Sequence, residues 1–103
     1  MGEATRIRAT AKDGQTEVKM LMQHEMETGQ RKDAAGNKIP AWIITDVKVL
    51  HEGRTVLEAQ FGTAVSKNPY LVFRLMGGVK GEKISVLWTD NRDDKRMDET
   101  VID

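Results

Sequence analysis

The chain has 103 residues, in which 16 lysines and arginines balance 16 aspartates and glutamates, and it contains no cysteine. This length suits one core, so we expect residues 1–103 to fold as a single domain. The zero net charge gives no long-range attraction for nucleic acid or an anionic membrane, and the lack of cysteine excludes a disulfide, a thiolate metal site and a thiol nucleophile in this chain.

No apolar run approaches the roughly 18 to 20 residues that a membrane-spanning helix needs. The first residues, Met1 to Arg6, also lack the apolar core of a secretory signal peptide. Taken alone, these features predict a cytoplasmic protein without a membrane segment.

Most of the chain alternates between apolar and polar residues at a period of two, which is typical of strands with one buried face. The pattern predicts strands over residues 5–10, 16–23, 42–50, 55–61, 70–76, 83–89 and 95–102. The second strand places Val18, Met20 and Met22 on one face. The third places Val47 on its more apolar face and Ile44 on the opposite one.

Turn signals separate these strands. Asp13-Gly14 and Gly53 accept a positive φ, and Pro69 marks the start of a strand. No segment has the period of a helix. The chain therefore predicts an all-β fold, an immunoglobulin-like antiparallel β-sandwich of about seven strands, although it lacks the intersheet cysteine pair of antibody domains.

A polar insertion separates the second and third predicted strands. It covers residues 24–40, which we call the long loop, and reads HEMETGQRKDAAGNKIP. Loops longer than about 12 to 15 residues without regular structure are uncommon in compact domains and are usually functional when they are ordered. We therefore expect the functional surface to lie in this loop.

Four residues before and within the long loop suggest a copper site. Thioether and imidazole groups favour copper, and Met20, Met22, His24 and Met26 supply both. The alternative is core packing, because Met20 and Met22 share the apolar face of a predicted strand and methionine fills gaps in cores. We favour packing and keep the periplasmic copper-binding sandwich as the alternative function.

Other patterns that carry chemistry are incomplete. The acidic turn over residues 90–94 has Arg92 where a calcium loop needs an oxygen ligand, so we interpret its charges as solvated. The glycine-rich turn over residues 77–81 lacks the end of a phosphate-binding loop, and no serine has the context of a nucleophile. A carbohydrate-binding or adhesion module needs exposed aromatic residues, which are 5% of this chain and fall mostly on predicted inward faces. We thus expect no catalytic residue, metal or cofactor, and a binding or scaffold role.

Three blocks stand in order along the chain: His24-x-Met26-Glu27-Thr28-Gly29-x-Arg31-x-Asp33-x-x-Gly36 with Ile39-Pro40, then Val65-Ser66-x-Asn68-Pro69-Tyr70, then Leu87-Trp88-Thr89-Asp90. Together they closely resemble the SoxZ family of sulfur-oxidation proteins over nearly the whole chain. The chain departs from the family at Thr45 and Val47, where an Asn and an aromatic residue are usual.

The resemblance implies a non-catalytic sandwich subunit that forms a heterodimer with SoxY. SoxY carries a mobile, glycine-flanked cysteine on which thiosulfate-derived sulfur travels between the Sox pathway enzymes, and the lack of cysteine in this chain agrees with that division of labour. The resemblance also implies a periplasmic location, reached by co-export with a partner that has a signal. A carrier of the same fold that serves another oxidation system stays open.

We expect the partner or docking surface to comprise seven residues of the long loop: His24, Met26, Glu27, Thr28, Gly29, Arg31 and Asp33. Gly29 would permit a turn, Arg31 would pair with a carboxylate or a bound oxyanion, and Met26 would give an adaptable apolar contact. The alternative is that Glu27, Arg31 and Asp33 form only a local, salt-bridged cap.

Overall fold

A computed structural model describes residues 3–103, which form seven strands. The strands are β1 (Arg6–Lys12), β2 (Gln15–Leu21), β3 (Ile44–His51), β4 (Arg54–Gln60), β5 (Tyr70–Met76), β6 (Lys83–Asp90) and β7 (Lys95–Val101). Their ends lie within two residues of the predicted ones, and the bounds of β5 are those predicted. Among the described residues, no helix is long and apolar enough to cross a membrane.

The strands form two antiparallel sheets, in the orders β1-β2-β5 and β4-β3-β6-β7. This confirms the predicted antiparallel sandwich. In the constant-type immunoglobulin arrangement the fourth strand joins the sheet of the first, second and fifth strands. Here β4 instead pairs with β3, so the three-stranded sheet ends at β5 on one side.

The core lies between the inward faces of the two sheets. Val18 and Met20 of β2 and Met22 directly after it are fully buried, which confirms their predicted shared face. Trp88 of β6 is the largest of the fully buried side chains that they pack among. Burying a side chain of this kind contributes about 1.5–3 kcal/mol, so the period-two pattern specifies the register as well as the strands.

The predicted faces of β3 are wrong at its first residue. We expected Ile44 on the face opposite Val47, but both side chains are buried. The pairing with β6 shifts register between Ile44 and Asp46, which is the signature of a β-bulge. The extra residue returns the alternation to the inward face, so both apolar side chains reach the core.

The connections gather at the two ends of the sandwich. At one end the turn containing Gly14 accepts a hydrogen bond from Gly77, and Glu52 donates to the carbonyl of Lys83. At the other end Asn68 donates to the carbonyl of His24, and Asn91 donates to that of Ile43. The long loop is therefore at the second end, against the turns before β5 and after β6.

Gly78 gives a test of packing at the first end. Its φ is +91°, and a Cβ there would overlap Thr16 Oγ1, a buried hydroxyl that donates to the carbonyl of Gly77 at 2.8 Å. Replacing Gly78 with Ala should lower the free energy of unfolding by about 2–5 kcal/mol, because left-handed backbone costs about 1–2 kcal/mol and overpacking about 1–3 kcal/mol. Urea denaturation measures the loss.

Gly77→Ala is the matched control, since Gly77 has a φ of +86° but open space around its Cβ position. We expect the free energy of unfolding of this control to fall only by the cost of the left-handed backbone, about 1–2 kcal/mol. Equal losses for the two variants would contradict the packing account.

Candidate functional site

The long loop is more ordered than its sequence predicts. It folds back on itself as two extended arms, with Glu27 and Trp42 exchanging backbone hydrogen bonds of 2.8 and 2.9 Å. Further out, the Ile39 N–H donates to the carbonyl of Arg31 at 2.8 Å. The backbones of Lys32 and Lys38 form an isolated antiparallel β-bridge. The expected stretch without regular structure is therefore an irregular hairpin.

Asp33 organises the tip of this hairpin. Its Oδ1 accepts from the backbone N–H of Ala35 at 2.9 Å and of Asn37 at 3.0 Å. Gly36, with a φ of +85°, donates to the Asp33 carbonyl and closes the turn. The Asp33 side chain thus replaces backbone partners in a tight turn, as aspartate commonly does.

Glu27 and Arg31 form a bidentate ion pair on the first arm. Arg31 Nε donates to Glu27 Oε1 at 2.8 Å, and Arg31 Nη2 donates to Glu27 Oε2 at 2.7 Å. The hydrogen bond from Arg31 is the main cause that lowers the pKa of Glu27, and it raises the pKa of Arg31 in turn. Arg31 stays 68% exposed at its side chain while Glu27 is largely covered. The Glu27–Arg31 part of the cap proposed as the alternative is present, whereas Asp33 bonds to its own turn, and the guanidinium still faces solvent.

Thr28 and Gly29 shape the first arm between these charges. The Thr28 hydroxyl accepts from the N–H of Gln30 at 3.2 Å, and Gly29 has a φ of +87°. A Cβ on Gly29 would lie 3.3 Å from Cβ of Ala41 on the returning arm. Gly29 therefore permits the turn, as expected, and also lets the two arms approach.

His24 and Met26 lie inside the protein, each with 5% of its surface exposed. His24 Nδ1 accepts from the N–H of Met26 at 3.1 Å, which leaves Nε2 to donate to Asp90 Oδ2 at 3.1 Å. Met26 has a φ of 52°, and its sulfur accepts from the N–H of Ile44 at 3.3 Å. Both residues support the loop from beneath, and the surface itself is left to Glu27, Thr28, Gly29, Arg31 and Asp33.

The Asp90 carboxylate is the common acceptor at this end of the sandwich. Oδ2 accepts from His24 Nε2 and from Trp42 Nε1, the latter at 2.8 Å. Oδ1 accepts from the backbone N–H groups of Arg92 at 2.9 Å and Asp94 at 3.0 Å. We call Asp90 with these four donors the Asp90 network. Because His24 begins the long loop, Trp42 lies two residues after it and the other two donors lie in the turn after β6, the network joins both segments to the end of β6.

Burial and hydrogen bonding act on the pKa of Asp90 in opposite directions. The residue is 2% exposed, and this burial favours the neutral acid and raises the pKa. The hydrogen bonds from His24, Trp42 and the two backbone groups favour the carboxylate and outweigh it, so the pKa lies below the ordinary value of 3.8. The carboxylate is thus a stable buried charge.

This finding corrects the interpretation of the acidic turn as solvated. Asp90 is buried, whereas Asp93 in the same turn is exposed. The missed signal is the period of two: Asp90 continues the inward face of Trp88, and His24 continues that of Met22. Two polar side chains that extend apolar faces at one end of a sandwich are well placed to meet.

The second family block also contacts the long loop. Asn68 Oδ1 accepts from the N–H of His24 at 3.0 Å, and its own N–H donates to the His24 carbonyl at 2.9 Å. Pro69 accepts from Met22 at 2.9 Å. The three blocks that are far apart in sequence therefore converge on His24 and Asp90.

Aromatic rings fill the space around His24. Its ring centroid lies 4.8 Å from that of Trp42 and 5.3 Å from that of Trp88. The Arg92 guanidinium covers the outer side of Trp42, 4.5 Å from the ring centroid. Neither tryptophan offers a bare face to a sugar, which argues against the carbohydrate-binding alternative.

The copper alternative is not supported. Met20 and Met22 are fully buried in the core, and both ring nitrogens of His24 already have hydrogen-bond partners. The Met26 sulfur accepts a backbone N–H. No lone pair of this set is directed at a shared open position.

Comparisons with known proteins show the family and the fold of this chain. A family model described as sulphur oxidation protein SoxZ matches residues 5–101. The crystal structure of a hypothetical protein from Pyrococcus horikoshii OT3 is similar, with a TM-score of 0.64 and 15% identity over 98% of this chain and 87% of that chain. At this identity the likeness shows the fold alone. A comparison with curated proteins found no match.

Replacing Asp90 with Asn tests the network. The amide would present a donor where two carboxylate oxygens accept four hydrogen bonds, leaving buried donors unsatisfied. We expect the free energy of unfolding to fall by about 2–5 kcal/mol, with red-shifted fluorescence as Trp42 loses its partner. Asp93→Asn is the matched control and should be neutral, because Asp93 is exposed. A neutral Asp90→Asn would contradict the account.

The pH dependence of stability gives a second test. Because the pKa of Asp90 is lower in the folded chain, its stabilisation is complete above the unfolded value of 3.8 and is lost as pH falls through the folded value. Urea denaturation between about pH 5 and pH 2 should therefore show a steeper loss for the natural protein than for Asp90→Asn. Parallel curves would show that Asp90 has the same pKa in both states.

Proposed function

The chain belongs to the SoxZ family and so acts in sulfur oxidation, and from this premise we propose that it is the non-catalytic subunit of a SoxYZ-type sulfur carrier. In this function it forms a heterodimer with a SoxY-like subunit and orients the cysteine arm of that subunit. The family match over residues 5–101 is the observation that carries the proposal. The heterodimer then presents its arm to the Sox pathway enzymes.

The chemistry of the chain supports a scaffold role. A carrier of sulfane sulfur needs a thiolate, and none of the 103 residues is cysteine. Both ring nitrogens of the buried His24 are used in hydrogen bonds, so it is not available as a base at the surface. The reacting thiol is therefore assigned to the partner, and this chain contributes shape and charge.

The exposed part of the long loop is the proposed docking surface. It comprises Glu27, Thr28, Gly29, Arg31 and Asp33, held by buried contacts of His24 and Met26. An ordered loop loses little conformational entropy when it binds, which favours affinity. The Arg31 guanidinium can donate hydrogen bonds to a carboxylate of a partner, because its Nη1 is not engaged by Glu27.

The proposed location is the periplasm, reached by co-export with the SoxY-like subunit. This part of the proposal rests on the family, whose carriers work in that compartment. A thiol carrier held by a partner chain is compatible with export as a folded heterodimer.

Arg31→Ala tests the docking role. Its loss should weaken binding to the SoxY-like subunit, or slow turnover of the reconstituted pathway, by about tenfold, because one charge-assisted hydrogen bond of about 1.5 kcal/mol is removed. Calorimetry measures the affinity, and thiosulfate consumption measures the turnover. Arg54→Ala, at the opposite end of the sandwich, is the control and should change neither.

Glu27→Gln separates docking from a merely local cap. It removes the internal ion pair but leaves the guanidinium free, so it should preserve or strengthen binding if Arg31 contacts a partner. If the pair serves only to order the loop, both variants will behave alike. Unchanged affinity and unchanged turnover for Arg31→Ala would overturn the docking role of the loop.

A further inference from the structure

The outer face of the three-stranded sheet carries a concentration of positive charge. Register places these residues on one face, alternating with the buried residues of β1 and β2. We call it the basic face, and its charged members are Arg6, Arg8, Lys12, Glu17, Lys19 and Arg74. Five cations thus share one face with a single carboxylate, although the whole chain has no net charge.

The positive charge of the basic face is poorly neutralised from within. Glu17 is shared by Lys19 at 3.6 Å and Arg74 at 3.5 Å. Arg6, Arg8 and Lys12 form no ion pair with any residue in the range 3–103, and Asp13 is in the turn at the end of the face. Arg6, Arg8 and Lys12 are therefore available to pair with carboxylates of a binding partner.

The outer face of the four-stranded sheet is a useful contrast. Its charges are Asp46, Lys48, Glu58, Lys83, Lys95 and Glu99, three of each sign. Lys48 pairs with Glu58 at 3.5 Å, and Lys83 pairs with Glu99 at 3.7 Å. Of the two outer sheet faces, only the basic face therefore has an excess of positive charge.

An apolar strip runs beside the cations. Tyr70 is 57% exposed, Val72 47% and Met76 80%, all on the outer side of β5, and Leu21 is paired with Tyr70. Among the described strands none pairs with the outer edge of β5, so its backbone groups on that side are also open. Tyrosine, methionine and arginine are the residues that protein interfaces favour.

The charge and the apolar strip together limit the possible occupant. A second copy bound through the same patch would oppose five cations with five cations, since a two-fold contact is self-complementary. A single-stranded nucleic acid would need several stacking platforms, and the strip has one aromatic ring. A protein surface with carboxylates beside an apolar patch satisfies both features.

We propose that the basic face, with its apolar strip, is the surface that receives an acidic surface of the cysteine-bearing subunit; this rests on the heterodimer proposed above. The cations of β1 and β2 pair with carboxylates on one side of the contact, and Tyr70, Val72 and Leu21 supply the dry part beside them. The face lies along the sheet, so the long loop at the end of the sandwich stays free for pathway enzymes. Subunit assembly and enzyme docking then use separate surfaces, so the effect of Arg31→Ala falls on turnover and not on affinity for the subunit.

The test is binding of the purified cysteine-bearing subunit to a double variant, Arg6→Glu with Arg8→Glu. Within residues 3–103 neither arginine has an ion pair to lose, so the fold should be kept, and urea denaturation checks this. We expect the dissociation constant to rise at least about a hundredfold, and the affinity of the natural protein to fall with added salt. The matched control, Lys48→Glu with Lys95→Glu on the other sheet, should change the affinity less than about threefold.

Amide hydrogen exchange of the natural protein gives a readout that needs no variant. Binding of the subunit should protect β1 and β5 and leave the β3–β4 turn unchanged. A heterodimer that forms with equal affinity for the double variant, and without protection of β5, would overturn the basic face but leave the carrier proposal intact. Failure of any heterodimer to form would overturn both. Binding of an oligonucleotide or an anionic vesicle through these arginines, with the subunit unaffected, would also overturn the inference.

Discussion

The buried carboxylate of Asp90 is the interaction on which the long-loop end of this protein depends. A charge with 2% exposure is costly unless every lone pair has a donor, and here four donors meet it. Two of these donors flank the long loop: His24 is its first residue, and Trp42 lies two residues after its end. The loop is therefore fixed at its base by hydrogen bonds whose loss would leave a buried charge unpaired and would destabilise the fold.

Further hydrogen bonds order the long loop from this base to its tip. His24 also orients Met26 and pairs with Asn68, so the turn before β5 is joined to the same point. The Glu27–Trp42 bridge then starts the hairpin, and the Asp33 turn closes it. Such a loop has a buried, satisfied root and a charged, exposed tip, which is what a docking surface on a rigid scaffold requires.

Much of the fold could be predicted from the sequence, because period-two alternation is a direct record of which side chains face the core. The strands and the sandwich were predicted, and the three sequence blocks indicated the family that the match over residues 5–101 confirms. The bulge at Ile44 was missed, since a register shift depends on the neighbouring strand. Asp90 was misread because a buried charge needs partners from distant segments, and only their meeting in space shows that they exist.

The long loop was predictable as a polar insertion, but its structure was not, and its docking role stays a prediction. The long loop was identified from its length and polarity, yet His24 and Met26 lie beneath the surface and not on it. The basic face is not predictable from the sequence for a related reason. Its five cations are spread over three strands, and the zero net charge of the chain gives no sign of a local excess. Pairing of strands, which sequence alone does not give, brings them together.

A native mass spectrum of the protein purified gently from its source tests the central claim most directly. The account predicts a one-to-one complex with a small cysteine-bearing subunit, with sulfur adducts on that subunit and none on this chain. A metal-free or copper-loaded monomer would contradict it, and would mean that the chain shares the family fold without the carrier function.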